Sequence, residues 1–152
     1  DYIYKAGFEH YEISNFAKPG YRSKHNSSYW KGVHYLGLGP SAHSFNGNSR
    51  QWNVANNQLY IQSLKQGTLS FEKEELTATQ QLNEYIMTGL RLMEGCDLNY
   101  ISQQFGSEKS VELSSNAAAP ISKGLMIAQN NHLILTRDGK LFADSIAADL
   151  FF

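Results

Sequence analysis

An α+β fold is expected of this chain on three counts. Residues 8–54 carry short runs of alternating apolar and polar side chains, broken by Gly, Pro and Asn. Residues 77–93 repeat their apolar side chains at helical spacing, and Asn130-Asn131 separates two short apolar runs, the mark of a tight hairpin. The order strand, loop, strand, strand, helix over residues 1–67 resembles the end of a partial (β/α) barrel whose earlier units are missing. Residues 68–76 are polar and charged and read as a linker. Residues 77–152 read as a helical, winged-helix-like C-terminal domain: three helices, a hairpin and a closing helix.

The elements follow in order. Residues 8–14 (F-E-H-Y-E-I-S) have the period of a strand; with Tyr11 and Ile13 turned toward covering helices, His10, Glu12 and Ser14 share the opposite, polar-lined face. Periodicity alone slightly favours a plainer reading, a half-exposed strand with ordinary surface polars. Residues 15–24 read as loop with Pro19-Gly20 as a turn, and residues 25–30 as a short helix or an irregular turn. Residues 35–39 read as a second strand with Gly37 and Gly39 on one face, residues 41–48 as loop, and residues 51–54 as a third strand. A helix over 57–66 follows, capped by Asn56, stopped by Gly67 and striped with Tyr60, Ile61 and Leu64.

Beyond the linker, Thr77 and Gln80 make a capping box for a helix whose Leu82, Tyr85, Ile86, Gly89, Leu90 and Met93 form one stripe up to Gly95. Asp97 caps a second helix running to Gly106. Residues 108–119 form a third, interrupted by Pro120. The hairpin pairs residues 125–128 with 132–135, and Thr136 opens a final helix carrying Leu141, Phe142, Ile146 and Leu150.

Composition narrows the function classes. Thirteen Lys and Arg against 14 Asp and Glu leave a net charge of -1, so no electrostatic footprint for nucleic acid is present and none is expected as a partner. No apolar run approaches the roughly 20 residues that span a bilayer, and the start lacks a signal-peptide layout. The single cysteine, Cys96, suits a reducing cytoplasm, where the protein is expected. The chain begins without Met, inside what reads as an alternating strand pattern, so it is read as a piece of a longer protein whose truncated barrel edge favours self-association.

Chemically committed residues concentrate in residues 25–44, H-N-S-S-Y-W-K-G-V-H-Y-L-G-L-G-P-S-A-H-S. Three imidazoles, large amphipathic rings, an amide and two alternate glycines fill a core poorly and shape a pocket well. A strand with Gly37 and Gly39 on one face lets a ligand or another chain approach its backbone, although the spacing fits neither a Walker loop nor a complete dinucleotide fingerprint. Taken alone, His25 is better read as capping a turn and Trp30 as anchoring a loop; His34 and His43 read as hydrogen-bonded structural histidines or as second ligands.

The blocks Y-E-I-S-N-F-A-K-P-G from Tyr11, H-N-S-S-Y-W from His25, Y-L-G-L-G-P-S-A-H-S from Tyr35 and the closing G-L-M-I-A…L-I-L-T-R-D-G-K-L-F-A-D-S-I-A-A-D-L-F resemble, in order and over essentially the whole chain, the C-terminal portion of one family. That family is the radical S-adenosylmethionine group containing oxygen-independent coproporphyrinogen III oxidase and the HemW haem chaperones. The resemblance implies a longer parent with a radical domain holding a [4Fe-4S] cluster and S-adenosylmethionine. Neither is expected on this chain, whose one cysteine cannot supply a cluster, so no catalytic residue is assigned to it and it should be inactive by itself.

The H-N-x-x-Y-W element resembles the feature that marks the haem-chaperone branch, which implies haem contact by His25, Asn26, Tyr29 and Trp30, with His25 as an axial ligand to the haem iron. Glu12, Ser14, Asn15, Gly37 and Gly39 become candidates for the barrel's cofactor pocket. Two readings of the parent follow. It is a haem chaperone that binds haem or porphyrin and delivers haem to an acceptor protein, or an oxidase that decarboxylates coproporphyrinogen by radical chemistry. The H-N-S-S-Y-W match favours the chaperone.

Overall fold

The computed structural model describes residues 2–152 and divides into two units, one formed by residues up to Lys31 together with Ala78–Phe152, the other by Gly32–Thr77. In the first unit the chain starts with a helical turn, α1 (Tyr2–Lys5), where an alternating strand was expected. Three large residues cannot distinguish the two periods, and Gly7, at a φ of 80°, ends the turn in the left-handed region.

A hairpin follows, β1 (Glu9–Glu12) against β2 (Asn15–Ala17), so residues 15–17 are strand and not loop. The register slips between His10 and Glu12, and this bulge defeats the expected alternation. Tyr11 and Glu12, neighbours that a regular strand would send to opposite faces, are both buried, while His10 stacks on Phe16 across the hairpin at 4.2 Å. Residues 25–30 resolve as helix: α2 (Lys24–Trp30) is capped by Ser23, whose side chain accepts the Asn26 N–H at 3.2 Å.

The core of this unit is laid on α4 (Ala78–Arg91), which buries Leu82, Ile86, Gly89 and Leu90 along one stripe, as its spacing predicts. Met93 falls beyond the helix end and stays partly exposed. Next come β6 (Cys96–Asp97), then α5 (Leu98–Phe105), whose cap is Asp97 accepting the Asn99 N–H at 2.8 Å, then α6 (Ser107–Asn116) and α7 (Ala118–Ser122). The break between the last two helices is at Ala117. Pro120 lies inside α7, not at an interruption, because a proline in the first turn of a helix sacrifices an N–H that has no helical partner there.

The hairpin β7 (Met126–Gln129) and β8 (His132–Leu135) forms as expected, with Asn130 and Asn131 at φ 51° and 59°, the paired left-handed residues of a tight hairpin turn. β8 also pairs with β6, Cys96 opposite Leu133, giving the order β6-β8-β7. Residues 139–142 form a 3-10 turn, and α8 (Ala143–Asp149) starts later than expected. Leu141 and Phe142 therefore point outward, while Ile146 and Leu150 complete the core. Each such aliphatic side chain, buried, contributes about 2 kcal/mol.

In the second unit, β3 (His43–Phe45), β4 (Ser49–Asn53) and β5 (Phe71–Glu75) make an antiparallel sheet in that order. Between β4 and β5 lies α3 (Asn57–Lys65), capped as predicted by Asn56, which accepts the Leu59 N–H at 3.0 Å, and followed by Gly67 at φ 70°. Three local expectations change. Residues 35–39 make only a single bridge, Tyr35 to Phe45, because Pro40 and the two glycines leave no side-chain pairing to sustain a ladder. Residues 43–45, read as loop, are a strand. The stretch read as linker contains β5, all of whose residues are exposed; a strand wetted on both faces has no apolar period to betray it and is held by its ladder to β4, Gln51 opposite Lys73. Ile61 and Leu64 of the expected stripe on α3 remain half exposed. Every ladder among the described residues is antiparallel.

Candidate functional site

α2 carries the H-N-x-x-Y-W element on two faces. His25 and Tyr29, four residues apart, share the exposed one. Their rings meet edge to face with centroids 5.0 Å apart, and the Tyr29 hydroxyl lies 3.3 Å from His25 Nε2. That contact is long for a hydrogen bond involving a hydroxyl and is open to water, so giving it up for another partner costs little. Asn26 is exposed beside them, its backbone N–H held by Ser23. Trp30 faces the other way. It is half-buried with the Arg91 guanidinium 4.9 Å from its ring centroid, and its indole N–H is buried with no acceptor among the described residues.

Arg91 is in turn held by Glu12. Its Nε and Nη2 both donate to Glu12 Oε1, at 3.1 and 2.9 Å, while Oε2 accepts from Asn15 Nδ2 at 2.6 Å and from the Ser14 N–H at 3.0 Å. Glu12 is wholly buried. Burial by itself pushes its carboxyl up, but the hydrogen bonds from Asn15, Ser14 and Arg91, with the Arg91 charge, outweigh it and hold the carboxyl below its ordinary value. Lys140 lies in the same neighbourhood, donating to the His10 carbonyl at 3.2 Å; burial lowers its ammonium against the opposing pull of Glu12 and Glu94. The segment entering α2 is tied down by Arg22, which bonds Glu9 at 3.0 Å and Glu94 at 2.5 Å, and by Tyr11, whose hydroxyl accepts the Ser23 N–H at 3.4 Å.

The structure thus brings Glu12, Ser14 and Asn15 together, but as a closed cage around one carboxylate whose two oxygens are both taken. Gly37 and Gly39 lie in the other unit, where their bare backbone serves the fold. A side chain on Gly37 would run into the backbone of His43; Gly39, at φ 110°, donates its N–H to the Tyr60 hydroxyl at 3.2 Å; and Asn53 Nδ2 reaches both glycine carbonyls. His34 packs edge-on to Phe45, and His43 lies tilted over Trp52. Arg91 is the residue that sequence reasoning missed: an arginine in the last turn of a helix is ordinary, and its carboxylate partner is 79 positions away.

The family model for the HemN C-terminal domain matches residues 76–142. The chain is 34% identical over 146 residues to the protein named Heme chaperone HemW of Mycobacterium tuberculosis, covering 95% of this chain and 35% of that one. It is 32% identical over 141 residues to Heme chaperone HemW of Bacillus subtilis, covering 92% and 37%. The chain belongs to the HemN/HemW family. The solved structure described as coproporphyrinogen III oxidase (HemN) from Escherichia coli, a radical SAM enzyme, superposes over 99% of this chain and 38% of its own, with a TM-score of 0.70 at 19% identity, a likeness of fold. The chain spans about a third of the length of the HemW proteins it matches.

Two groups implied by the HemN/HemW family can be tested against the residues present. An iron-sulphur cluster does not fit. Cys96 is fully buried, its thiol donates to the Ile86 carbonyl at 3.4 Å, and burial pushes it up to about 12, the opposite of what a thiolate ligand needs. The exposed face of α2 carries side chains of the kind haem uses, an imidazole with a phenol ring beside it, while the Trp30 indole is turned away from that face against Arg91.

Proposed function

We propose that this chain is part of a haem chaperone and that α2 is its haem-contact element, with His25 supplying an axial nitrogen to the haem iron. The observation that carries this reading is the exposed His25–Tyr29 pair, one helical turn apart on a helix whose third ring, Trp30, is fixed behind it. HemW proteins of several bacteria, named as haem chaperones, are among the relatives that share more than 30% identity with the chain. Haem, when bound, supplies an iron centre with open axial positions and a broad apolar macrocycle. The chain's part is to present an imidazole on a short capped helix, to lay the Tyr29 ring alongside, and to leave the Asn26 amide free for a polar edge. An exposed site of this kind suits a carrier that must release its cargo to an acceptor protein, since little protein has to open first.

The test is a haem titration of the full-length protein followed in the Soret region. His25→Ala should weaken binding by at least about tenfold and shift the band, the loss of one metal-ligand bond. An unchanged complex overturns the ligand assignment. Turnover of coproporphyrinogen by the full-length protein would replace the chaperone reading with the oxidase one.

A further inference from the structure

We propose that Arg91 is a positioning residue for the haem-contact helix, acting through Trp30 as the last link of a Glu12–Arg91–Trp30 clamp; this rests on the reading of α2 given above. Trp30 needs such a clamp. An indole buried at a protein surface is normally oriented by a hydrogen bond from its N–H, and here that N–H has no acceptor among the described residues. What orients the ring is the guanidinium 4.9 Å from its centroid. Arg91 in its turn cannot swing away. Two of its nitrogens grip the same Glu12 oxygen, and that carboxylate is fixed from its other side by Asn15 and the Ser14 N–H. A chain of contacts therefore runs from a carboxylate with no exposure to water, through the guanidinium at the end of α4, to the ring that terminates α2.

The geometry also explains why arginine stands at position 91. A guanidinium is flat, so one side can lie over an indole while two nitrogens on its edge converge on one carboxylate oxygen. Lysine would keep the charge near Glu12 and lose both the stacking surface and the fork. Asp144, 3.5 Å from the third nitrogen, is almost fully exposed and adds little. α2 is only 7 residues long and buries no residue fully, so it has no core of its own; its orientation is set by its attachments. Loosening the clamp should let the His25–Tyr29 face wander relative to α4, spreading the imidazole over orientations of which few can meet an iron on an ordered macrocycle.

The experiment uses the full-length protein and haem. Arg91→Lys should weaken haem binding by about tenfold and broaden or shift the Soret band, with amide hydrogen exchange in residues 24–30 of the haem-free protein about fivefold faster. Glu12→Gln, which frees Arg91 by removing the charge it grips, should move both readouts the same way by less. Leu113→Ala is the control, since it destabilises the α6 side of the core without touching the clamp. If Leu113→Ala weakens haem as much as Arg91→Lys does, or if Arg91→Lys leaves exchange in residues 24–30 unchanged, the positioning role is overturned. If His25→Ala binds haem normally while Arg91→Lys still speeds exchange in α2, the clamp stands as a device of the fold and the haem reading is what has failed.

Discussion

Removing Arg91 while keeping its bulk, as in Arg91→Met, leaves the Glu12 carboxylate buried with half of its support gone. Breaking a buried pair from one side costs about 3–5 kcal/mol when the survivor has no other partner. Glu12 retains Asn15 and the Ser14 N–H on Oε2, and Arg91 is itself 22% exposed, so the lower end applies, about 3 kcal/mol at neutral pH. The sign of its pH dependence follows from the folded carboxyl lying below its ordinary value of 4.5. In the unmodified protein the ionised carboxylate contributes stability that is fully present above 4.5 and is lost as pH falls through the lowered folded value.

In Arg91→Met two of the downward influences are gone and burial weighs more, so the variant recovers relative stability as Glu12 takes up a proton. The difference between the two proteins should therefore narrow from about 3 kcal/mol at pH 7 to about 1 kcal/mol near pH 4, the remainder being the lost contact with Trp30. Urea unfolding at both pH values, with Glu12→Gln and the double variant completing a cycle, measures this. A cost that is the same at both pH values, or a coupling energy near zero, would refute the assignment of Glu12 and Arg91 as a mutually dependent pair.

Three further outcomes follow from the packing. Gly89→Ala gains helix propensity worth about 1 kcal/mol, yet its methyl would sit 2.8 Å from Cys96 Sγ in a closed core, and a net loss of about 1 kcal/mol is expected; Gly89→Ala with Cys96→Ala should cost less than the sum of the two in chemical denaturation, and strict additivity would contradict the contact. Asn130→Val forces a β-branched residue to φ 51° and should lower stability by about 1–2 kcal/mol, which an unshifted thermal midpoint would disprove. The Cys96 thiol, raised to about 12 and fully buried, should resist iodoacetamide at pH 8 in the native protein and react on denaturation; rapid native labelling would show the core around β6 to be open.

Sequence reasoning succeeded where one short-range rule governs. The stripe of α4 from Leu82 to Leu90, the Asn56 and Asp97 caps and the Asn130-Asn131 turn all depend on residues within four positions of each other and stand as expected; Met93, at the end of the expected stripe, does not join it. It failed at β2, β3 and β5, whose side chains are too few or too polar to show a period, and at the face assignment of β1, where a slip in register accompanies the burial of both Tyr11 and Glu12. Of the candidate site, the presence of an exposed helix bearing His25 and Tyr29 was within reach, since helix or turn were the two shapes that its six residues allowed.

The sequence alone determined the family, the mixed α+β character and the identities of the rings on α2, because composition, motif and local spacing are properties of neighbours along the chain. Only the tertiary structure decided what those rings rest on. Glu12, Arg91 and Trp30 are strangers in sequence, and their alignment depends on a hairpin bulge and the end of a helix meeting in space; a carboxylate without water must find a cation, and no spacing rule says which one folding will bring.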